Sequence, residues 1–249
     1  MLKILISNDD GVLAKGLLVL REKLAELAQI IVIAPEVDCS GTSSSLTLGN
    51  PLRITELDKN YYALRGTPTD CVHAALSGLL PEIPDMVITG INNRSNLGDD
   101  IIYSGTFAAA YEGRYLRFPA IALSMVSISA EPYFETGAKV CADLIKAFIN
   151  HPFEHSGVLN VNIPDVPYGQ IKGIKITTLG RRHPPKPIEK GVDPRGNPYF
   201  WLGARGKAMN SEDKSSDFNA IKEGYVSISP VNLDLTCRAT LDKLNQLKF

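Results

Sequence analysis

The N-terminal run Leu2-Lys3-Ile4-Leu5-Ile6 breaks off at Ser7-Asn8-Asp9-Asp10-Gly11, and this abrupt change constrains the fold more than any other feature of the chain. A short, nearly continuous apolar run closed by turn residues reads as a strand buried on both faces, the pattern of a parallel sheet. The segment from Leu17 to Leu27 then spaces apolar residues as a helix does, and Ile30 to Ala34 is a second apolar strand closed by Pro35. Strand, helix and strand in this order make a βαβ unit with parallel pairing and a right-handed crossover. Two carboxylates at the C-terminal end of such a strand stand where open α/β sheets bind ligands. Asp9 and Asp10 repel each other unless positive charge lies beside them. Two readings are open at this point: a divalent cation held by oxygen ligands, or an Asx-rich turn in which Gly11 supplies a positive φ.

The pattern continues down the chain. Leu52 to Leu64 alternates loosely and predicts short antiparallel strands. Gly66-Thr67-Pro68-Thr69-Asp70 predicts a helix start, with Thr67 as N-cap, Pro68 in the first position and Asp70 complementing the dipole, running on to Leu80. Further strands are predicted at Met86 to Gly90, Pro119 to Ser124 and Val158 to Ile163, with helices from Ser104 to Gly113 and from Phe134 to Ile149. The texture changes near Pro164. A strand at Gly173 to Thr178, a polar connector from Asp213 to Ala220, a strand at Gly224 to Pro230 and a terminal helix from Leu235 to Leu247 are expected there. Arg181 to Lys207 is dense in Pro, Gly and charge yet holds Tyr199-Phe200-Trp201-Leu202, which fits a hairpin arm whose aromatics need a partner surface.

Composition removes several classes of function. With 26 basic and 27 acidic residues the net charge is −1, so nothing electrostatic favours a nucleic-acid polymer or an anionic membrane as partner. No apolar run approaches the roughly 18 residues of a membrane helix. The opening has no basic segment followed by an apolar stretch, as a secretory signal would. Cys39, Cys71, Cys141 and Cys237 form no Cys-x-x-Cys pair and read as reduced thiols. A cytoplasmic protein is the expectation.

Polar loops follow successive strands at Asn8 to Gly11, at the Ser/Thr/Gly-rich Asp38 to Thr47, and at Asn92 to Asp100, and Ser104-Gly105-Thr106 opens a helix. In a doubly wound sheet these converge on one edge. Taken singly, Ser40 to Ser45 reads as a solvated loop, Asn92 as a turn cap and Ser104 or Thr106 as an N-cap. Taken together, carboxylate, amide and hydroxyl groups suit Mg²⁺, Mn²⁺ or Ca²⁺ rather than zinc. A helix starting Ser-Gly-Thr offers free amides and a positive dipole end to an anion. A metal beside an anion cradle implies hydrolysis of a phosphate ester. A dinucleotide-dependent oxidoreductase is disfavoured, because Asn-Asp-Asp-Gly replaces Gly-x-Gly-x-x-Gly after the first strand.

The segments Ile6-Ser7-Asn8-Asp9-Asp10-Gly11, Ala34-Pro35, Gly66 to Val72, Gly90-Ile91-Asn92, Asn96-Leu97-Gly98, Tyr103 to Thr106, Glu112-Gly113 and Glu223 to Pro230 resemble, in order, the SurE (stationary-phase survival protein) family of nucleotidases. The resemblance implies an α/β fold: a Rossmann-like three-layer α/β/α core over 1–164 with a mostly parallel sheet. A C-terminal extension over 165–249 follows, with a hairpin arm at about 180–207, a return strand at 224–230 and a terminal helix at 235–247, used to build homodimers or homotetramers. It implies release of phosphate from nucleoside 5′- and 3′-monophosphates, and from short polyphosphate in some members. One divalent ion per subunit, Mg²⁺ or Mn²⁺, would be held by Asp9, Asp10, Ser40 and Asn92, with Asp9 and Asp10 catalytic. Asn96, Ser104, Gly105 and Thr106 would line the phosphate site. Two positions depart from the family pattern: Ser44 stands where a His is common, and Arg94 where a second Gly is usual. A guanidinium at 94 has the geometry to hold a phosphate bidentately, or else crowds the loop. Those departures also fit a nucleotide-binding or sensing protein that has lost catalysis.

Overall fold

A computed structural model describes residues 1–209 and 212–247. Strand β1 (Lys3–Ser7), helix α1 (Lys15–Leu24) and strand β2 (Gln29–Pro35) form the expected βαβ unit, with β1 and β2 parallel. The hairpin of β3 (Ile54–Asp58) and β4 (Tyr61–Leu64) is antiparallel within itself, and β4 also joins β2 in parallel. Helix α2 (Pro68–Ala74) begins at Thr67 with a capping box: the Thr67 hydroxyl accepts from the Asp70 amide while the Asp70 carboxylate accepts from the Thr67 amide. Then follow β5 (Met86–Asn92), α3 (Gly105–Glu112), β6 (Ala120–Val126), α4 (Phe134–Asn150) and β7 (Val158–Pro164). Beyond these lie β8 (Ile174–Ile176), β9 (Glu189–Val192), β10 (Pro198–Trp201), α5 (Asp217–Lys222), β11 (Val226–Val231) and α6 (Arg238–Leu244).

Nine strands make one sheet in the order β3-β4-β2-β1-β5-β6-β7-β11-β8. Its pairings are parallel except at β3–β4 and β7–β11. Successive side chains of a strand face opposite ways, and β1 shows the consequence. Ile4 and Ile6 pack with Leu17, Leu20 and Leu24 of α1 and with Phe134 and Ala138 of α4. Leu5 packs on the other face with Cys71 and Val72 of α2 and Phe107 and Ala110 of α3. Each fully buried Ile or Leu contributes about 1.5–3 kcal/mol, so helices on both faces account for the apolar continuity of the strands. The chain runs outward from β1 through β2 on one side and from β5 through β7 on the other. The reversal of order therefore falls between β1 and β5, where ligand crevices open.

Three expectations are adjusted. Asp213 to Ala220 is not wholly a connector, because Ser216 caps α5 and its hydroxyl accepts from the Asn219 amide. Asn92 ends β5 rather than starting the following loop, opposite Ser124 of β6. The terminal helix is shorter than predicted, and its exposed Leu241 and Leu244 lack a covering surface among the described residues. Positions 210, 211, 248 and 249 of the extension lie outside the described residues. The arm strands β9 and β10 pair only with each other, whereas β8 and β11 lengthen the main sheet. Among the described residues no helix is long and apolar enough to cross a membrane.

Candidate functional site

The crevice between β1 and β5 is built from loop ends tied together by buried side chains. Asp9 follows β1 and is buried. Its Oδ1 accepts a 2.6 Å hydrogen bond from the hydroxyl of Thr106, in the first turn of α3. Such a close approach needs a glycine at the helix start, since a Cβ on Gly105 would lie 3.0 Å from the Asp9 Cβ and 3.2 Å from Oδ2. Ser104 caps α3, its hydroxyl accepting from the Phe107 amide at 3.0 Å. Helix geometry leaves the Gly105 and Thr106 amides without intrahelical acceptors, at the positive end of the dipole and beside Asp9.

The loop after β5 is held from beneath. The Asn96 amide donates to Asn162 Oδ1 at 2.9 Å, and the Asn96 carbonyl accepts from Asn160 Nδ2 at 2.8 Å and Asn162 Nδ2 at 2.9 Å. Asn96 Nδ2 donates to the Ser124 hydroxyl at 3.0 Å. The Asn92 side chain donates to the Arg94 carbonyl at 2.6 Å, and the Asn93 amide donates to Asp10 Oδ2 at 3.2 Å. On the third side, the Ser/Thr-rich loop is anchored at its far end, where the amide and hydroxyl of Thr47 both donate to Asp70. In its middle the Ser43 hydroxyl donates to the Ile102 carbonyl at 2.6 Å.

These loops enclose a cleft of about 100 Å³ lined by Asp9, Ser40, Asn92, Arg94, Asn96 and Ser104, together with Ser95, Asp100, Tyr103 and Arg205. Among the residues singled out in the sequence, Asp9, Ser40, Asn92, Asn96 and Ser104 thus meet at one surface. Asp10 lies beside the cleft rather than on its wall, Gly105 provides the close approach, and Thr106 is wholly buried with its hydroxyl on Asp9. Ser44 is exposed and outside the wall, whereas Arg94 is on it.

Several contributors were not anticipated. Asp100 is buried and accepts from Arg182 Nε at 2.8 Å and Arg205 Nη1 at 3.0 Å, so two cations from the arm region converge on one carboxylate. Asp217, at the start of α5, accepts from the Gly98 amide at 2.6 Å and the Gly180 amide at 3.0 Å, clamping the site loop to the root of the arm. Nothing in the local sequence marks Asp100, Arg205 or Asp217. Asn160 and Asn162 did carry a signal: two amides at alternate positions of an otherwise apolar strand point to the same face.

The electrostatics suit a cation. Burial pushes the Asp9 carboxyl above its ordinary value, opposed by the Thr106 hydroxyl. Burial first, and then the Asp9 charge, push Asp10 up to about 6, while Arg94 only weakly opposes them. Two carboxylates held this way are short of positive charge, and the Asn8 side-chain oxygen beside them is buried without a hydrogen-bond partner. Among the described residues no three His, Cys, Asp or Glu side chains cluster as a metal site. Any ion at this crevice would therefore rest on a mixed set of carboxylate, hydroxyl and amide oxygens, which fits a hard divalent cation.

Comparisons with known proteins bear on this geometry. A family model described as Survival protein SurE matches residues 4–186. A 5′-nucleotidase SurE of Legionella pneumophila (strain Paris) is 49% identical over 246 residues, covering 99% of this chain and 97% of that protein. A 5′-nucleotidase SurE of Nitrosococcus oceani is 48% identical over 243 residues, covering 98% and 96% respectively. Among solved structures, the SurE protein from Aquifex aeolicus superposes with a TM-score of 0.86 at 40% identity, with 98% of each chain covered.

Proposed function

The chain belongs to the SurE family, and from that premise we propose that it is a divalent-metal-dependent phosphohydrolase releasing inorganic phosphate from nucleoside 5′- and 3′-monophosphates, and from short-chain polyphosphate. The relatives named 5′-nucleotidase support the 5′ activity. One observation carries the chemical reading: a buried carboxylate, Asp9, is set against the first turn of α3, on the wall of a polar cleft.

In this reading Asp9, Asp10, Ser40 and Asn92 hold one Mg²⁺ or Mn²⁺ per subunit. Such an ion would supply Lewis-acid chemistry to a phosphate ester in the cleft. Asn96 and Ser104 orient the phosphoryl group, and the Gly105 and Thr106 amides face its negative oxygens. The Thr106 hydroxyl holds Asp9 in one rotamer, so that its other oxygen is presented towards the phosphorus or an attacking water. The Arg94 guanidinium on the cleft wall supplies a further donor to phosphate. The same reading divides the chain at Pro164 into a catalytic core and an extension, and places it in the cytoplasm, in keeping with its free thiols. It makes the protein a homodimer or homotetramer through the exposed arm.

The test is phosphate release from 5′- and 3′-nucleotides and from tripolyphosphate with Mg²⁺ or Mn²⁺, repeated in chelator. Release is expected only with metal, and equal release in chelator overturns metal dependence. Nucleotide binding without turnover under any metal would favour the sensing alternative.

A further inference from the structure

We propose that the cavity at the open end of the β3–β4 hairpin is a separate anion site, in which the guanidinium groups of Arg53 and Arg65 and the side-chain amide of Asn50 receive a phosphate group. Its walls are Thr47, Asn50, Pro51, Arg53 and Arg65, and none of these lines the cleft at the β1–β5 crevice. About 400 Å³ is open there, a volume within the range of small-molecule sites.

The register of the hairpin concentrates the charge. Ile54 pairs with Leu64, and the Arg65 amide donates to the Arg53 carbonyl at 2.8 Å. The two arginines therefore stand directly opposite each other, one step beyond that pair. Opposed residues of an antiparallel pair project their side chains from the same face, and like charges in that position destabilise the pair. Nothing in the protein offsets the repulsion: neither guanidinium has a hydrogen bond or ion pair among the described residues, and the Asn50 side chain has none either. Asp70, which is bonded to the wall residue Thr47, is occupied by the amide and hydroxyl of Thr47 and by the Thr67 amide. Glu36 shares a second cavity, of about 430 Å³, with Arg65 but makes no ion pair with it among the described residues. Two forked donors and an amide around an open volume, with no acid answering them, are the recognition set of a phosphate.

The experiment follows the thermal midpoint of the full-length protein in chelator, where no metal bridges phosphate to the cleft. Orthophosphate is raised at constant ionic strength, with chloride as the balancing anion. The wild-type midpoint should climb with phosphate and level off. Arg53→Gln and Arg65→Gln each remove the repulsion, so without phosphate each should match or exceed wild type. Each should then need about tenfold or more phosphate for the same rise. Ser104→Ala, which alters the cleft wall, should respond as wild type does. A wild-type midpoint unmoved by phosphate overturns the site. So does a rise that is equal in wild type and both arginine variants, or one lost in Ser104→Ala alone. AMP and adenosine, titrated in the same way, identify where the phosphate group comes from. An arginine-dependent response that is tighter for AMP than for orthophosphate assigns the site to a nucleotide, and one no tighter assigns it to the free ion; either sustains the site. A response to adenosine equal to that for AMP overturns phosphate recognition.

Discussion

The crevice at the β1–β5 edge and the hairpin arm are both made of loops and short strands, yet they are held by opposite means. In the crevice, buried polar groups are tied to partners far away in sequence: Thr106 to Asp9, Asn162 to Asn96, Asp217 to Gly98. A buried polar group without a partner costs about 1–3 kcal/mol, so such a network tolerates few alternative arrangements. In the arm, β9 and β10 pair with each other alone, and Trp201 is 68% exposed. A two-stranded ribbon has little stability of its own. The crevice is specified from within the protomer, and the arm tip by whatever covers it. The two meet at the arm's root, where Arg182 and Arg205 reach Asp100.

The sharpest way to break this comparison is to remove charge from the crevice without changing its shape. Asp9→Asn keeps the volume and a Thr106 partner, so the fold should survive with its thermal midpoint unchanged or raised, because a buried charge is lost. Turnover with Mg²⁺ or Mn²⁺ should fall by at least about 10³-fold. Wild-type turnover in this variant would reduce the N-terminal loop to a turn.

Next in size is the clamp between the two regions. Asp217→Ala strands the Gly98 and Gly180 amides and should cost about 3 kcal/mol in urea unfolding. Gly98→Ala strikes the same joint, since its φ is +59° and a Cβ would sit 2.7 Å from the Gly180 carbonyl oxygen. A cost under about 1 kcal/mol for both would mean that site loop and arm root are independent.

How much of this was legible in the sequence follows from the same contrast. The strands, the βαβ start, the Thr67 cap and the meeting of Asp9, Ser40, Asn92, Asn96 and Ser104 at one edge were readable. Periodicity and chain order determine which side chains face the helices and which ends of strands lie together. Asp217 and Asp100 were not. Nothing local distinguishes a carboxylate that will be buried against backbone amides or guanidinium groups distant in the chain from one that stays in solvent. Asn92 was placed one element late because its polarity marks the loop, whereas its backbone still pairs with β6 opposite Ser124.

A smaller effect tests the cation reading of the crevice through pH. Asp10 is pushed from an ordinary 3.8 to about 6, so the folded, metal-free protein binds more protons than the unfolded chain between those values. Its stability in chelator should therefore fall as pH rises through that window. A bound cation competes with the same proton, so metal affinity measured by calorimetry should drop by up to about tenfold per unit as pH falls below 6. Affinity independent of pH from 5 to 7 would remove Asp10 from the ligand set.

The smallest effect is expected at the arm tip, and it sharpens the comparison most. Trp201→Ser removes a large ring from a position that buries little within the protomer, so a surface substitution of this kind should change the unfolding free energy of an isolated protomer by no more than about 0.5 kcal/mol. If a second copy covers the arm, the same change deletes an aromatic anchor from the interface, where such residues carry much of the binding energy. Light scattering should then show a shift towards smaller species at low protein concentration, while turnover per subunit at saturating nucleotide holds, because Trp201 is outside the cleft. A loss of stability of several kcal/mol with no change in mass would place the ring in the protomer's own core. The division between a self-specified crevice and a partner-specified arm would then fail.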